Sequence, residues 1–438
     1  NTSLTRELNM PPGEDRTTPL TLSLLNKEEN RQNGLSVFYS KKWSGRLSSK
    51  FIFSHSDFSK KLSDEVQTVN TTTSVIYKKD KSSTENSALE NSFRAENLLY
   101  FSNGHQLEFG GGFYNNETKI GFNTNINDTL SIDTLNQFRN SRLFVFADDY
   151  LPVGSRLTVK TGARLNVSAN TGKIYFEPRI SAIYKVSEQL KFNASWGRYH
   201  QFISKIASVD RDQNYSYLWN ASNDNIPVLN ASHWVGEVNY SKNNLTINVE
   251  GYYKLTRNIT QRVFEQRFDG PNRQDGYFSY FGNAKTYGID VFAKKDIGKH
   301  SVWASYTLSK ALESLAPLNS LAPHHQLHEF KVAGLLNIGR FYISGDYVYG
   351  SGMEIIRKVF ARETGNVSYN RVDAAVTYKF TPKHFSGEIG LSILNLFNTQ
   401  NLKYANLKNI QLTPELGDIR VYSDAAPFTP TIFLKIVF

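Results

Sequence analysis

Cysteine is missing from all 438 residues, so no disulfide framework, thiolate metal site or cysteine nucleophile is open to this chain. Long apolar runs are missing too. No stretch of about eighteen apolar residues occurs and the mean hydropathy is −0.44, which excludes a helical membrane span. Helical periodicity is not convincing anywhere along the chain. Despite a formal charge of +10, Lys and Arg are scattered singly, without the basic stripe or signature that nucleic-acid binding requires. A basic rim facing anionic lipopolysaccharide or other membrane lipid is the better use of that charge, with plain solvation as the alternative. No nucleophile elbow, zinc-protease helix or poised carboxylate pair stands out, so a catalytic role has little support and no cofactor is expected. The chain opens at Asn1 without a basic-then-apolar leader; the expectation is that a signal peptide has been removed, leaving export to be argued from the rest.

What is present is alternation. From Leu245 to Thr256, the residues Leu245, Ile247, Val249, Gly251, Tyr253 and Leu255 interleave with Thr246, Asn248, Glu250, Tyr252, Lys254 and Thr256. A second copy sets Leu157, Val159, Thr161, Ala163, Leu165 and Val167 against Thr158, Lys160, Gly162, Arg164 and Asn166. Period two puts one set on a greasy face and the other on a wet one, which is a strand. Further copies start near Leu190, Val302, Val372 and Ile389, and Ile432, Leu434, Ile436 and Phe438 share a face at the end. These segments run to roughly ten to thirteen residues, about twice a globular strand, and a tilted crossing of a bilayer explains the length. Aromatic residues reach 13%, with 24 Tyr and 29 Phe, as interfacial belts would use.

Connections fall into two classes. Tight turns are expected at Trp43–Arg46, Ser102–Gly104, Pro152–Ser155, Lys242–Asn244, Ile297–Lys299 and Ile338–Arg340. Long polar loops are expected at Ser59–Leu89, Asn116–Asn140, Gln201–Ser232, Asn258–Phe281 and Thr399–Pro427. Short turns on one side and long loops on the other are the rule for outer-membrane barrels, whereas soluble sandwiches and propellers have shorter strands and lack this rhythm. The fold class is therefore an all-β transmembrane antiparallel barrel, with about eighteen strands counted from hairpins. Residues 1–17 read as a segment leading in, and 18–438 as the barrel. Unpaired backbone is intolerable in hydrocarbon, so closure is expected.

Charges on the wet faces should line the lumen, because an Arg or Lys facing lipid at mid-depth costs about 2 to 4 kcal/mol. They are Arg164, Glu177, Arg179, Glu250, Lys254, Asp290, Lys294, Arg371 and Asp373. The loop Asp210–Asn225 carries Tyr215, Tyr217 and Trp219 beside Asp210, Asp212, Asn214, Asp224 and Asn225, so it could stack on a solute, clamp calcium, or simply be wetted. His324, His325, His328 and Glu329 are a weak metal candidate, since along a strand His325 would point away from the other two. No metal is otherwise expected.

Several segments in order resemble the barrel of TonB-dependent receptors. IYFEPRISAIY (174–184) and LKFNASWGRYHQF (190–202) are similar to the family's Pro-Arg strand and the aromatic-glycine strand after it. GNAKTYGIDVFAKK (282–295) and VWASYTLSKA (302–311) come next, ahead of HHQLHEFKVAG. DYVYGSG (346–352), YNRVDAAVTYKF (369–380) and LSILNLFNTQN (391–401) complete the set, the last two similar to the family's final hairpin. A terminal aromatic such as Phe438 resembles the signal read in barrel assembly. The resemblance implies a barrel of about twenty-two strands around an N-terminal plug, and import of a scarce solute when TonB pulls that plug. No plug-like sequence is seen, so the expectation is that the plug, about four leading strands and the TonB-contacting segment are not in this chain. The wet-face charges would then be plug contacts, or merely a wetted wall. Alternatives are a scaffold subunit of a multi-protein outer-membrane machine, with lipoprotein or other partners, and a passive porin.

Overall fold

Each alternating segment of the sequence forms a strand in the computed structural model, which describes residues 2–10, 18–127, 130–212, 214–269, 272–315, 318–353, 368–401, 408–411, 418–421 and 425–437. The wall begins with Thr2–Met10 (β1), Thr18–Lys42 (β2), Leu47–Asn70 (β3), Ile76–Tyr100 (β4), Gln106–Ile126 (β5), Leu130–Val153 (β6), Leu157–Ser168 (β7), Ile174–Lys185 (β8) and Leu190–Gln201 (β9). An inserted hairpin follows, Ile203–Val209 (β10) and Tyr215–Ala221 (β11). The wall resumes with Leu229–Lys242 (β12), Leu245–Asp269 (β13), Asn272–Ile297 (β14) and His300–Leu315 (β15). After the short Leu318–Leu321 (β16) come His328–Ile338 (β17), Phe341–Gly350 (β18), Tyr369–Phe380 (β19) and Ser386–Leu394 (β20). A separate hairpin, Lys408–Gln411 (β21) with Asp418–Val421 (β22), precedes Thr429–Val437 (β23).

Twenty-one strands join one sheet; β10, β11 and β16 are insertions, and the remaining eighteen form an antiparallel meander in chain order. The insertions are bypassed where β9 pairs with β12, β15 with β17, and β20 with β23. Among the described residues no pairing joins β23 to β1 or β2, so the closure expected of the barrel is not observed there. The terminal Phe438 lies outside the described residues. The lead-in expected over residues 1–17 holds a strand of its own, β1, in register with β2 from Thr2↔Asn26 to Met10↔Thr18.

The two faces separate as the alternation dictates. Leu165, Val167, Val249, Tyr253, Ile289, Val302 and Leu391 are exposed outward, and neither Leu245 nor Ile247 is buried. The opposite parity carries Arg164, Glu177 and Asp373. At the tight end, Asn243 and Asn244 both take positive φ (51° and 60°), the two-residue hairpin turn that Asn tolerates.

The opposite end departs from expectation. Strands β2 to β6, β13 and β14 run 21 to 26 residues, whereas β7, β8, β9 and β19 have 12. At about 3.3 Å per residue, a 25-residue strand spans roughly 80 Å, far more than a hydrocarbon layer of about 30 Å needs. The segments expected as loops at Ser59–Leu89, Asn116–Asn140 and Asn258–Phe281 are therefore largely continuous strand, standing beyond the membrane as hairpins. Polar cross-strand pairs decorate them, such as Lys60 with Glu28 at 2.9 Å and Arg139 with Glu117 at 2.9 Å. Such exposed pairs contribute about 0 to 1 kcal/mol each, so the backbone ladder carries these hairpins.

Candidate functional site

The expected loop Gln201–Ser232 is also a correction, because it folds as the β10–β11 hairpin. Its placement starts at Asn258, an extra residue between Arg257↔Asn283 and Ile259↔Gly282 with φ of 64°, a left-handed conformation Asn adopts readily. Its side chain donates to the Val228 carbonyl at 2.8 Å, just where β12 starts. Beyond this bulge β13 changes neighbour. β10 runs parallel to it from Ala207↔Gln261 to Val209↔Val263.

One face of the hairpin is fixed to the wall. Asn86 of β4 clamps the Trp219 backbone twice, accepting from its N–H at 2.8 Å and donating to its carbonyl at 2.9 Å. Thr118 Oγ1 of β5 accepts from Ala221 N–H at 2.9 Å, and Asn140 of β6 donates to the Ser222 carbonyl at 3.1 Å. Ile206 and Leu218 pack with Ile120 and Phe122 in a buried cluster flanked by Phe138 and Tyr277. Phe122 and Tyr277 stack with ring centroids 4.1 Å apart, and the Arg262 guanidinium lies 5.4 Å from Phe122 and 5.7 Å from Tyr277. Four buried apolar side chains contribute on the order of 1.5 to 3 kcal/mol each, against about 1 kcal/mol net for each neutral hydrogen bond. Packing therefore supplies the docking strength, and the amides set the register.

At the tip, Lys78 Nζ reaches Asp212 at 3.0 Å, while the Asp210 carboxylate accepts from Asn214 N–H at 2.8 Å. Burial pushes the Asp212 carboxyl above its ordinary range, with Lys78 opposing. Burial likewise raises the Tyr277 hydroxyl and lowers the Arg262 guanidinium. At the base, the Arg142 guanidinium sits 4.2 Å over Tyr114 and 4.6 Å over Phe202, tying the hairpin's entry to β5 and β6.

The other face is open. Cross-strand partners Lys205 and Trp219, with Ala207, Tyr217 and Tyr215, present a row of rings and one ammonium away from the wall. Lys205 Nζ lies 5.1 Å from the Trp219 ring, and the Tyr217 ring is 4.9 Å from His324 on the β16–β17 connection. The three aromatics singled out in the sequence thus share one accessible face, and His324 and Lys205 join them.

The charged wall residues do not converge. Arg164 lies 3.8 Å over Phe144 and Glu177 accepts from His200 N–H at 2.9 Å, both near the Arg179–Asp148 ion pair. Glu250 stands in register with Glu237 and Asp290, an acidic row on β12 to β14, with Lys254 two lumenal positions further out. Lys294 pairs with Asp296 at 3.1 Å, and Arg371 with Asp373 at 3.0 Å. Of the histidines, His328 bonds the Tyr306 hydroxyl at 2.8 Å while His324 faces Tyr217. Among the described residues no three His, Cys, Asp or Glu side chains are grouped to hold an ion.

The family model for the TonB dependent receptor-like beta-barrel matches residues 4–407. This chain belongs to the TonB-dependent receptor family. Its solved neighbours are receptors and transporters. The siderophore receptor PirA of Acinetobacter baumannii superposes with a TM-score of 0.55 at 9% identity, over 98% of this chain and 79% of that one. The copper transporter OprC gives 0.59 at 11%, over 98% and 74% of the two chains. The RagAB peptide transporter gives 0.54 at 12%, over 89% and 61%. No curated protein matches the sequence. As a TonB-dependent receptor barrel, the chain resides in the Gram-negative outer membrane, and its family couples transport to TonB.

Proposed function

We propose that this chain is the barrel of a receptor that imports a scarce solute into the periplasm, and that the solute is first held by Tyr215, Tyr217 and Trp219. The observation that carries this reading is the asymmetry of the β10–β11 hairpin. One face is spent on the wall, while the other presents three rings and Lys205 to the mouth. Flat aromatic faces beside a cation suit stacking on a planar or ring-bearing solute. Siderophore, copper and peptide belong to the neighbours, and this surface does not choose among those classes.

Arg164, Glu177, Arg179, Glu250, Lys254, Asp290, Lys294, Arg371 and Asp373 are proposed to meet a plug domain, through which TonB would act. The test is uptake by cells expressing the complete receptor, offered ferric siderophores, copper or peptides in turn. Replacing Tyr215, Tyr217 and Trp219 together by Ala should abolish the TonB-dependent uptake of one class while surface levels hold. Unchanged uptake of every class would defeat the reading.

A further inference from the structure

Two sectors of the wall carry an aromatic belt on their outward face, and the chemistry just beyond the belt differs between them. On β3 to β5, Phe53, Phe93 and Phe113 stand side by side, the last two stacked with ring centroids 6.1 Å apart. The next outward positions satisfy one another: His55 Nδ1 and Asn91 Oδ1 are 2.8 Å apart, and Ser141 of β6 donates to Asn115 at 2.9 Å. The first Lys and Arg beyond these, Lys119 and Arg139, share the Glu117 carboxylate at 3.3 Å and 2.9 Å. On β9 to β14 the belt is Trp196, Trp234, Tyr253 and Tyr287, again one cross-strand row. It lies about nine residues from the tight turn at Asn243 and Asn244, the length a tilted strand needs to cross hydrocarbon, so it marks the outer interface.

Beyond this second belt the charge is of one sign. The next outward row runs Arg198, Ser232, Leu255, Lys285 and Leu312. Lys310, the cross-strand partner of Tyr287, and Arg257, two residues beyond Leu255, are the diagonal neighbours of Lys285. Such neighbours lie about 7 to 8 Å apart. Arg198, Arg257, Lys285 and Lys310 are all exposed, and among the described residues none has a carboxylate within ion-pair distance. Like charges this close repel one another unless an anion lies between them. Cations just past an interfacial belt stand among lipid head groups, and β13 and β14 continue outward past them, so the leaflet they meet is the outer one. In the Gram-negative outer membrane that leaflet is lipopolysaccharide. A phosphate accepting from two cations at about 2.8 Å each bridges a gap of this size. From Arg198 to Lys310 the patch is four strand spacings wide, roughly 19 Å, the breadth of a phosphorylated sugar head rather than of one phosphodiester. We infer that β9 to β15 form a lipopolysaccharide site, in which a head-group phosphate is bracketed by Arg257, Lys285 and Lys310 while Arg198 meets a second anionic group. The site lies on the outside of the wall, apart from the solute-binding face. β3 to β6 form no such site, because Glu117 already neutralises their cations.

The two sectors supply the test and its control. The complete receptor, delipidated in mild detergent, would be offered rough lipopolysaccharide, the same molecule after dephosphorylation, and phosphatidylglycerol, and its bound lipid read by native mass spectrometry. The wild type should retain the phosphorylated lipopolysaccharide in preference to both others. Arg257→Gln/Lys285→Gln/Lys310→Gln should weaken that retention about fivefold per cation, roughly a hundredfold for the three. Lys119→Gln/Arg139→Gln should leave it unchanged. Equal retention of the dephosphorylated form or of phosphatidylglycerol by the wild type would overturn the assignment. So would undiminished retention by the triple variant, or an equal loss per cation in the control pair. Heat-modifiable gel mobility confirms that each variant is folded.

Discussion

The membrane-crossing half of the wall and the hairpins beyond it are built from the same continuous strands, yet they answer to different solvents. In the crossing half, lipid outside and water inside impose strict alternation, seen in Leu157–Ser168 and in the first turns of Leu245–Asp269. Beyond it both faces are wet, and strands such as Leu47–Asn70 carry Lys, Asp, Ser and Thr without regard to parity. The difference teaches that strand length is set by backbone pairing, whereas pattern is set by what each face touches. Where an outer hairpin meets the inner wall burial returns, as at Ile120, Phe122, Ile206 and Leu218.

The comparison breaks first at that cluster. Leu218→Ala should cost the docked hairpin about 2 to 5 kcal/mol, read as faster hydrogen exchange over 203–221 with the crossing strands unchanged. A global loss of protection would show that the hairpin and wall are one cooperative unit. Next, Val249→Arg should cost about 2 to 4 kcal/mol in guanidinium unfolding from lipid, whereas Leu135→Arg, on the outer part of β6 and 73% exposed, should change almost nothing. Equal effects would erase the division between the two halves. Asn86→Ala should loosen the hairpin by about 1 to 3 kcal/mol by orphaning the Trp219 N–H and carbonyl.

The smallest effect is a pH dependence. Burial raises the Tyr277 hydroxyl above its ordinary value of 10.0, so its contribution to docking is complete below that pH and fades as pH rises above it. Trp219 fluorescence should therefore change in alkali, and Tyr277→Phe should remove the change.

Sequence and structure agree where the bilayer does the sorting. The alternating wall strands after β1 and the turns at Asn243, Gly298 and Gly339 could be read because alternation and turn chemistry have local causes. Tyr215, Tyr217 and Trp219 were found as aromatics set among acidic and amide residues of an expected loop, and in β11 they share a face. The outer strands were taken for loops because a ladder wetted on both sides leaves no periodic mark. β10 hid for another reason: its apolar residues, Ile203, Ile206 and Val209, are three apart, and the asparagines and threonine that fix its partner strand β11 lie far away in the chain. Asn86, which holds Trp219 across 133 positions, has no local signature at all. Lys205 gave none either, since one lysine among polar residues acquires meaning only when β11 lies beside it.

The one-residue bulge at Asn258 has a consequence for how such a molecule can change. Because β13 trades β12 for β10 at that point, whatever lies between Gln201 and Leu229 can be exchanged for another insert that docks along the same outer rail. The mouth can thus be refitted for new cargo while the staves below keep their positions.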